Sequence, residues 1–381
     1  MSVFLIISCL DCGKKQEYEK LDNRVLENKD REYQEKKQTI LQRSEAWYDA
    51  QYYVRSFPKC KLLDQVDLWE MGCRKEKTHF LIKYEGDSCL LTMVPPGDEC
   101  VFPLRTESGR LNFRKVLTLI EHPFIHKTRV TDFWLDQGKA VIFSNYSEEG
   151  SLRDVLYKSK PTQKFAQKYK NFETKSATTL SKGKTALYGR QILEALIYLK
   201  ECGIPYTHLH TGNVIIKNDV ARITNVENGL LNLERQNERL LRQFSKKSPK
   251  FSKMDLNVIT FGVLIFEVSS GYVLKNLSQL DENPLDVDIT QVIDVIFKDG
   301  EKCPTLEDLA NMPIFKNVKI SQKTPLIEFD EKIRKLLKIA NEQCKELRRG
   351  ETTNKKKMSR GARSPQNKRR TTTASQASSP P

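Results

Sequence analysis

The stretch Pro205-Tyr206-Thr207-His208-Leu209-His210-Thr211-Gly212-Asn213-Val214-Ile215-Ile216 gathers the side chains of this chain best suited to chemistry. Twelve residues after Asn213 stands Asn225, within Arg222-Ile223-Thr224-Asn225-Val226-Glu227-Asn228-Gly229. An imidazole with a pKa near ~6.5 can accept a proton, which makes His208 the candidate base. Asn213 and Asn225 offer neutral amide oxygens to a hard cation, a role that carboxylates usually fill. Glu227 could replace a missing carboxylate, but the Asn228-Gly229 pair marks a turn expected to aim it elsewhere. His208 and His210 lie two apart with no third ligand in view, so both are read as structural and no metal site is expected.

These groups need elements to hold them. A helix is expected over Thr185 to Cys202, with Leu187, Ile192, Leu193, Leu196, Ile197 and Leu199 on one face and Gly203 and Pro205 as stop signals. It delivers the chain to the polar loop, which a strand, a turn and a second strand follow. Upstream, His79 to Tyr84 and Ser88 to Val94 flank Glu85-Gly86-Asp87 as a hairpin, and Phe133 to Leu135 with Ala140 to Phe143 form another. Lys83 is expected to point outward, and Lys217 and Arg222 read as strand-surface charges. Trp47, Tyr48, Tyr52 and Tyr53 lie on a helix that they are expected to dock onto the domain. Lys158 to Lys184 reads as a polar surface loop with one short helix, Leu230 to Leu241 as a charged helix, and Arg242 to Lys253 as a basic loop. Asp255 to Glu267 is apolar enough for a core helix, and Glu328 to Leu347 forms an amphipathic final one.

The chain has 381 residues and a net charge of +15. Its nine cysteines are an odd, scattered set without paired CxxC blocks, which argues against a disulfide framework and for a reducing compartment. Val3 to Leu10 is apolar but far short of the ~20 residues that a spanning helix needs. Cys9 and Cys12 beside it are candidates for S-acylation. Between Gly350 and Pro381 eight Lys and Arg face one acid, Glu351, so much of the excess charge sits in one Ser/Thr/Pro-rich tail. Three parts result: an apolar stub and charged arm over 1–45, a folded domain over 46–347, and a basic disordered tail over 348–381. Arg369-Arg370-Thr371-Thr372, Ser364-Pro365 and Ser379-Pro380 have the form of phosphorylation sites.

The helix, loop, strand, turn, strand layout resembles the catalytic segment of a protein kinase. A kinase carries His-Arg-Asp, four residues and Asn in that loop, then Asp-Phe-Gly in the turn. With Asn213 as the anchor, Tyr206-Thr207-His208 stands at the first motif and Asn225-Val226-Glu227 at the second. The glycine-rich loop corresponds to Met71-Gly72-Cys73-Arg74-Lys75-Glu76, with one glycine. The strand that should carry a lysine corresponds to Leu90-Leu91-Thr92-Met93, with Met93 at the lysine position and the partner glutamate position near Phe113. Glu121-His122-Pro123-Phe124-Ile125, Gly150-Ser151-Leu152 and Cys303-Pro304-Thr305 to Pro313-Ile314-Phe315 resemble further kinase landmarks.

The run His208-Leu209-His210 to Asn213-Val214, then Glu227-Asn228-Gly229-Leu230-Leu231, is narrower. It is similar to the group of kinase-like proteins that contains the Slowpoke-binding protein and the PX-domain-containing kinase-like protein. A PX domain is not expected before the kinase-like part, which leans toward the Slowpoke-binding branch.

The resemblance implies an α+β, bilobal fold with a small β-rich lobe and a larger helical one. Because phosphoryl transfer rests on positioned charges, loss of so many of them implies a catalytically inactive scaffold. His208, Asn213, Asn225 and Met93 then mark degenerate positions, and no cofactor is expected, ATP and Mg²⁺ lacking most of their usual ligands. The alternative is a weak or unconventional Ser/Thr kinase depending on His208. Implied partners are a membrane channel or transporter, such as a calcium-activated potassium channel, and 14-3-3 through phosphorylated sites. The tail adds anionic lipid or actin as contacts, without specific nucleic acid. A cytoplasmic place at the inner face of the plasma membrane fits these partners.

Overall fold

Thr78–Tyr84, Asp87–Val94 and Lys139–Asn145 each carry a run of consecutive apolar residues, as strands covered on both faces do. The computed structural model describes residues 33–63, 68, 71–72, 74, 76–169, 177–298, 303–320 and 324–346. The apolar stub with Cys9 and Cys12, most of the charged arm, and the basic tail lie outside the described residues.

A helix over 33–55, α1, precedes β1 (Cys60–Leu62), β2 (Thr78–Tyr84) and β3 (Asp87–Val94). Helix α2 (Glu107–Thr118) follows, then β4 (Thr128–Trp134) and β5 (Lys139–Asn145). The strands form one antiparallel sheet in the order β1-β2-β3-β5-β4, with a bulge between Thr128 and Val130. Both sequence-expected hairpins are present, as β2–β3 and β4–β5. Lys83 is exposed.

One face of the sheet is covered by α1. Ala46, Ala50, Tyr53 and Val54 pack there with Phe80, Ile82, Leu91, Met93, Val141 and Phe143. Trp47 meets Phe80 with ring centroids 5.9 Å apart, and the Tyr53 hydroxyl donates to Asp132 at 2.7 Å. Residues 33–45 of the same helix are exposed, so the docking surface begins at Ala46.

The chain crosses to the helical region at α3 (Leu152–Tyr157), capped by Ser151 in a reciprocal box with Asp154. After α4 (Phe165–Lys168) comes α5 (Lys182–Glu201), stopped at Gly203, whose φ of 70° suits glycine. Strands β6 (Val214–Lys217) and β7 (Val220–Ile223) are joined through Asn218 and Asp219, both at positive φ, as a two-residue hairpin requires. Then follow α6 (Glu227–Leu230), α7 (Glu238–Lys247), α8 (Pro249–Lys253) and α9 (Leu256–Ser270). The last four helices that bear on the core are α11 (Val287–Phe297), α12 (Leu306–Ala310), α13 (Pro313–Lys316) and α14 (Glu331–Lys345), with the short α10 (Gln279–Glu282) before them.

Helix α9 is the centre of this region. Val258 through Val268 are buried without a break, so it has no polar face to give to water. The segment 242–253, expected as a basic loop, is instead helical in α7 and α8. Phe244 and Phe251 explain why: both are buried, their rings tilted against each other at 5.4 Å between centroids and both packed on Phe297 of α11. The helix expected over 230–241 begins only at Glu238. Together these elements make a bilobal, kinase-like α+β fold.

Among the described residues no helix is long and apolar enough to cross a membrane. The described cysteines are free thiols.

Candidate functional site

The sheet's second face looks into a cleft of about 1290 Å³, its open mouth included. His79, Leu90, Thr92, Ile142 and Ser144 line it from the strands, and Asn213, Ile215, Thr224, Asn225 and Glu227 from the helical region. The pleat decides which residues take part. Leu90 and Thr92 of β3 line the cleft, while Leu91 and Met93 lie in the core under α1. Met93, aligned with the kinase strand lysine, therefore faces away from the cleft, and Thr92 takes the inward place. Its hydroxyl lies 3.1 Å from His79 Nδ1.

A lysine does enter the cleft, from another strand. Lys77 precedes β2 and is 4 % exposed, its ammonium donating to Asn225 Oδ1 at 2.9 Å, Glu227 Oε1 at 2.7 Å and Asn228 Oδ1 at 2.9 Å. Glu227 was expected to be turned aside, and it is not. Asn228 and Gly229 belong to the helical turn α6, which begins at Glu227 and holds that carboxylate inward. Gly229 permits this packing, because a Cβ there would stand 2.2 Å from the Pro205 carbonyl oxygen. Asn225 sits at φ 61°, in the left-handed region that asparagine tolerates better than most residues.

The network continues into the polar loop. Asn225 Nδ2 donates to Asn213 Oδ1 at 2.7 Å, and Asn213 Nδ2 donates to the His208 carbonyl at 2.8 Å. Both amide oxygens singled out from the sequence are thus accepting from internal donors. His208 is buried and is not among the groups lining the cleft, whereas His210 is. His210 Nδ1 accepts from the Gly212 N–H at 3.1 Å, capping the Thr211–Asn213 turn. Burial, then the charge of Arg153, hold its pKa well below the ordinary histidine value.

The 158–184 insertion also contributes, contrary to its reading as a surface loop. Pro161, Phe165, Lys168 and Tyr169 line the cleft, and Asp154 is the reason. Its carboxylate accepts from the Ser151 N–H and hydroxyl, the Ser159 hydroxyl, Lys168 Nζ at 3.0 Å and the Tyr169 hydroxyl at 2.5 Å. Burial alone would push Asp154 up, but the Lys168 ammonium and these donors hold it below the usual carboxylate range. Deeper in, Thr211 Oγ donates to Glu267 at 2.9 Å and accepts from Arg153 Nε at 3.0 Å.

Every cation lining the described cleft has a partner. Lys77 pairs with Glu227, Lys168 with Asp154, Arg153 with Glu267 at 3.8 Å, and Arg74 with Glu76 at 3.3 Å and the Glu234 carbonyl. At the crossing between the lobes, the Asn145 carbonyl meets His126 Nε2 at 2.9 Å. Burial lowers the His126 pKa and this bond opposes the shift. A kinase-like fold implies Mg²⁺ and a nucleoside triphosphate, and these residues do not fit that pair. The oxygens at the metal corner are taken by an ammonium, and no described cation is left unpaired for phosphate. Among the described residues no group of three or more His, Cys, Asp or Glu is arranged to hold a metal.

Known proteins resemble the chain over most of its length. A protein of Dictyostelium discoideum named probable inactive serine/threonine-protein kinase slob2 is 33% identical over 299 residues, 75% of this chain and 48% of that protein. The mouse PX domain-containing protein kinase-like protein is 30% identical over 303 residues, 78% of this chain and 50% of its own length. The chain belongs to this kinase-like family. The Drosophila melanogaster Slowpoke-binding protein is a further relative, 29% identical over 275 residues, covering 66% of this chain and 52% of that protein. This kinase-like chain spans about half the length of the curated relatives it matches. No family model matches it.

Sequence reasoning on the kinase-like pattern missed Lys77, Asp154 and His126. Lys77 stands in the mixed-charge stretch Glu76-Lys77-Thr78, where nothing in the spacing separates it from solvated neighbours. Asp154 left one usable signal, the Ser151 to Asp154 spacing of a capping box.

Proposed function

We propose that this protein is a catalytically inactive kinase-like scaffold or regulatory subunit that works by binding a membrane protein. The observation that carries this reading is the hydrogen bonding of Asn213 and Asn225. Their side-chain oxygens, at the positions a kinase would give to metal binding, are held by Asn225 Nδ2 and Lys77 Nζ. With the metal corner filled, charge on a transferred phosphoryl group would lack its metal stabiliser, and with no carboxylate at position 208 the substrate hydroxyl would lack its usual base. The name of the Dictyostelium relative, a probable inactive kinase, supports the same reading.

The Drosophila relative is named for binding Slowpoke. That name supports a membrane channel as the class of partner to test first, a calcium-activated potassium channel among them, and such a partner would call for a cytoplasmic protein at the plasma membrane. Phosphorylated tail sites would engage 14-3-3, and the basic tail anionic lipid or actin. Phosphoryl transfer from γ-labelled ATP to a generic substrate should stay at background with Mg²⁺ or Mn²⁺. Transfer that disappears in His208→Ala would replace this reading with that of an unconventional kinase. Co-purification from native membranes should recover a channel protein, and deletion of Gly350 to Pro381 should abolish binding to anionic vesicles.

A further inference from the structure

The metal corner of the cleft is occupied by a part of the protein itself. Asn225 Oδ1, Glu227 Oε1 and Asn228 Oδ1 converge on the Lys77 ammonium at 2.7 to 2.9 Å. Two amides and one carboxylate form a hard-oxygen set with a single negative charge. The charge is matched by one ammonium, and the side chains of both Lys77 and Glu227 are nearly closed to solvent, at 4% and 6% exposure. An ammonium donates along N–H directions, whereas a metal ion only needs lone pairs aimed at it, so oxygens that accept from Nζ are also oriented toward a cation placed there.

We propose that Lys77 is the resident cation of this cleft: its ammonium fills a three-oxygen cation site, so the protein takes no divalent ion there. Removing the ammonium uncovers a site for a hard divalent ion. The inference rests on the reading of the cleft as inactive, and metal binding is read independently of phosphoryl transfer, so either can fail alone.

A divalent ion entering the intact site would have to displace a buried ammonium that has no second carboxylate beside it. The neighbouring acid, Asp154, is already bound to Lys168 and Tyr169. Lys77→Met keeps the apolar stem and deletes the charge, leaving Glu227 with two amide oxygens and open coordination positions for water.

The test is Mn²⁺ binding to the full chain, followed by electron paramagnetic resonance of the free ion. The wild-type protein should show no saturable site at millimolar Mn²⁺. Lys77→Met should show one site per chain, at least tenfold tighter than any wild-type binding. That site should vanish in the double variant Lys77→Met/Glu227→Gln, and the thermal midpoint of Lys77→Met should rise with Mn²⁺ and fall again with chelator. A folded Lys77→Met without Mn²⁺ binding overturns the proposal. So does a wild-type site that Glu227→Gln removes.

If Lys77→Met does not fold, acylation of Lys77 in the wild-type chain decides. Its labelling, read by mass spectrometry, should be slow and unchanged by Mn²⁺. Labelling that rises severalfold with the metal means that the ion displaces the ammonium, and overturns the proposal.

Discussion

Two buried ionic clusters line the cleft, and each is the inverse of the other. In one a cation, Lys77, is surrounded by acceptors. In the other an anion, Asp154, is surrounded by donors. They differ most in what they join. Lys77 bonds to residues some 150 positions away and ties the sheet to the helical region, whereas the partners of Asp154 lie within 15 positions. The first cluster should therefore belong to global stability and the second to a local unit that can open by itself.

Substitution separates them. Lys77→Met leaves the Glu227 carboxylate buried without its counter-ion and should cost about 3–5 kcal/mol, read as a lower denaturant midpoint for the whole domain. Asp154→Asn should cost less, about 1.5–3 kcal/mol, because the insertion can lift and return Lys168 to water. Its signature is faster amide exchange and proteolysis over 159–169 with little change in α9. Equal global losses from both substitutions would erase the distinction.

His79 reports on both clusters, since its pKa is lowered from the ordinary 6.5 to about 3 by burial first and then by Lys77 and Lys168. A lowered histidine pKa means that the unfolded chain takes up the proton first as pH falls. Its stabilising contribution is complete above about pH 6.5 and is lost progressively toward pH 3. Linkage puts the loss from His79 at about 2 kcal/mol by pH 5, and His79→Gln should flatten the slope of stability against pH in that window. The smallest effect is expected at the exposed Lys335–Glu331 pair, 2.8 Å apart with both side chains 73% exposed. There Lys335→Ala should leave the denaturant midpoint unchanged within error.

The framework was legible because its signals are periodic or punctuated. The two sheet hairpins, the α5 helix ending at Gly203 and the unbroken apolar run of α9 all follow from spacing and turn residues. The cleft was legible only in part. Leu90-Leu91-Thr92-Met93 gives no way to tell its faces apart, because a strand covered on one side by α1 and on the other by a cleft is apolar on both. A register shift of one residue put Met93 where Thr92 belongs. Glu227 was misjudged for a different reason: Asn-Gly favours a turn locally, but burial of Leu230 and Leu231 winds the segment into helix instead. The Arg242 to Lys253 segment failed in the same way, its basic residues masking Phe244 and Phe251.

Helix α14 touches both α2 and the rest of the helical region. Its cap Asp330 pairs with Lys115 of α2 at 3.0 Å, Lys332 bonds Ser108 at 2.5 Å, and Gln343 donates to the Glu99 carbonyl at 3.0 Å. At its far end the Cys344 and Glu346 carbonyls accept from Arg235. The helix is thus a second, non-covalent crossbeam parallel to the covalent link between lobes. A partner seated on α14 would touch both lobes at once, and because the helix's contacts to α2 are exposed and polar they should yield to salt before the buried Arg235 end does.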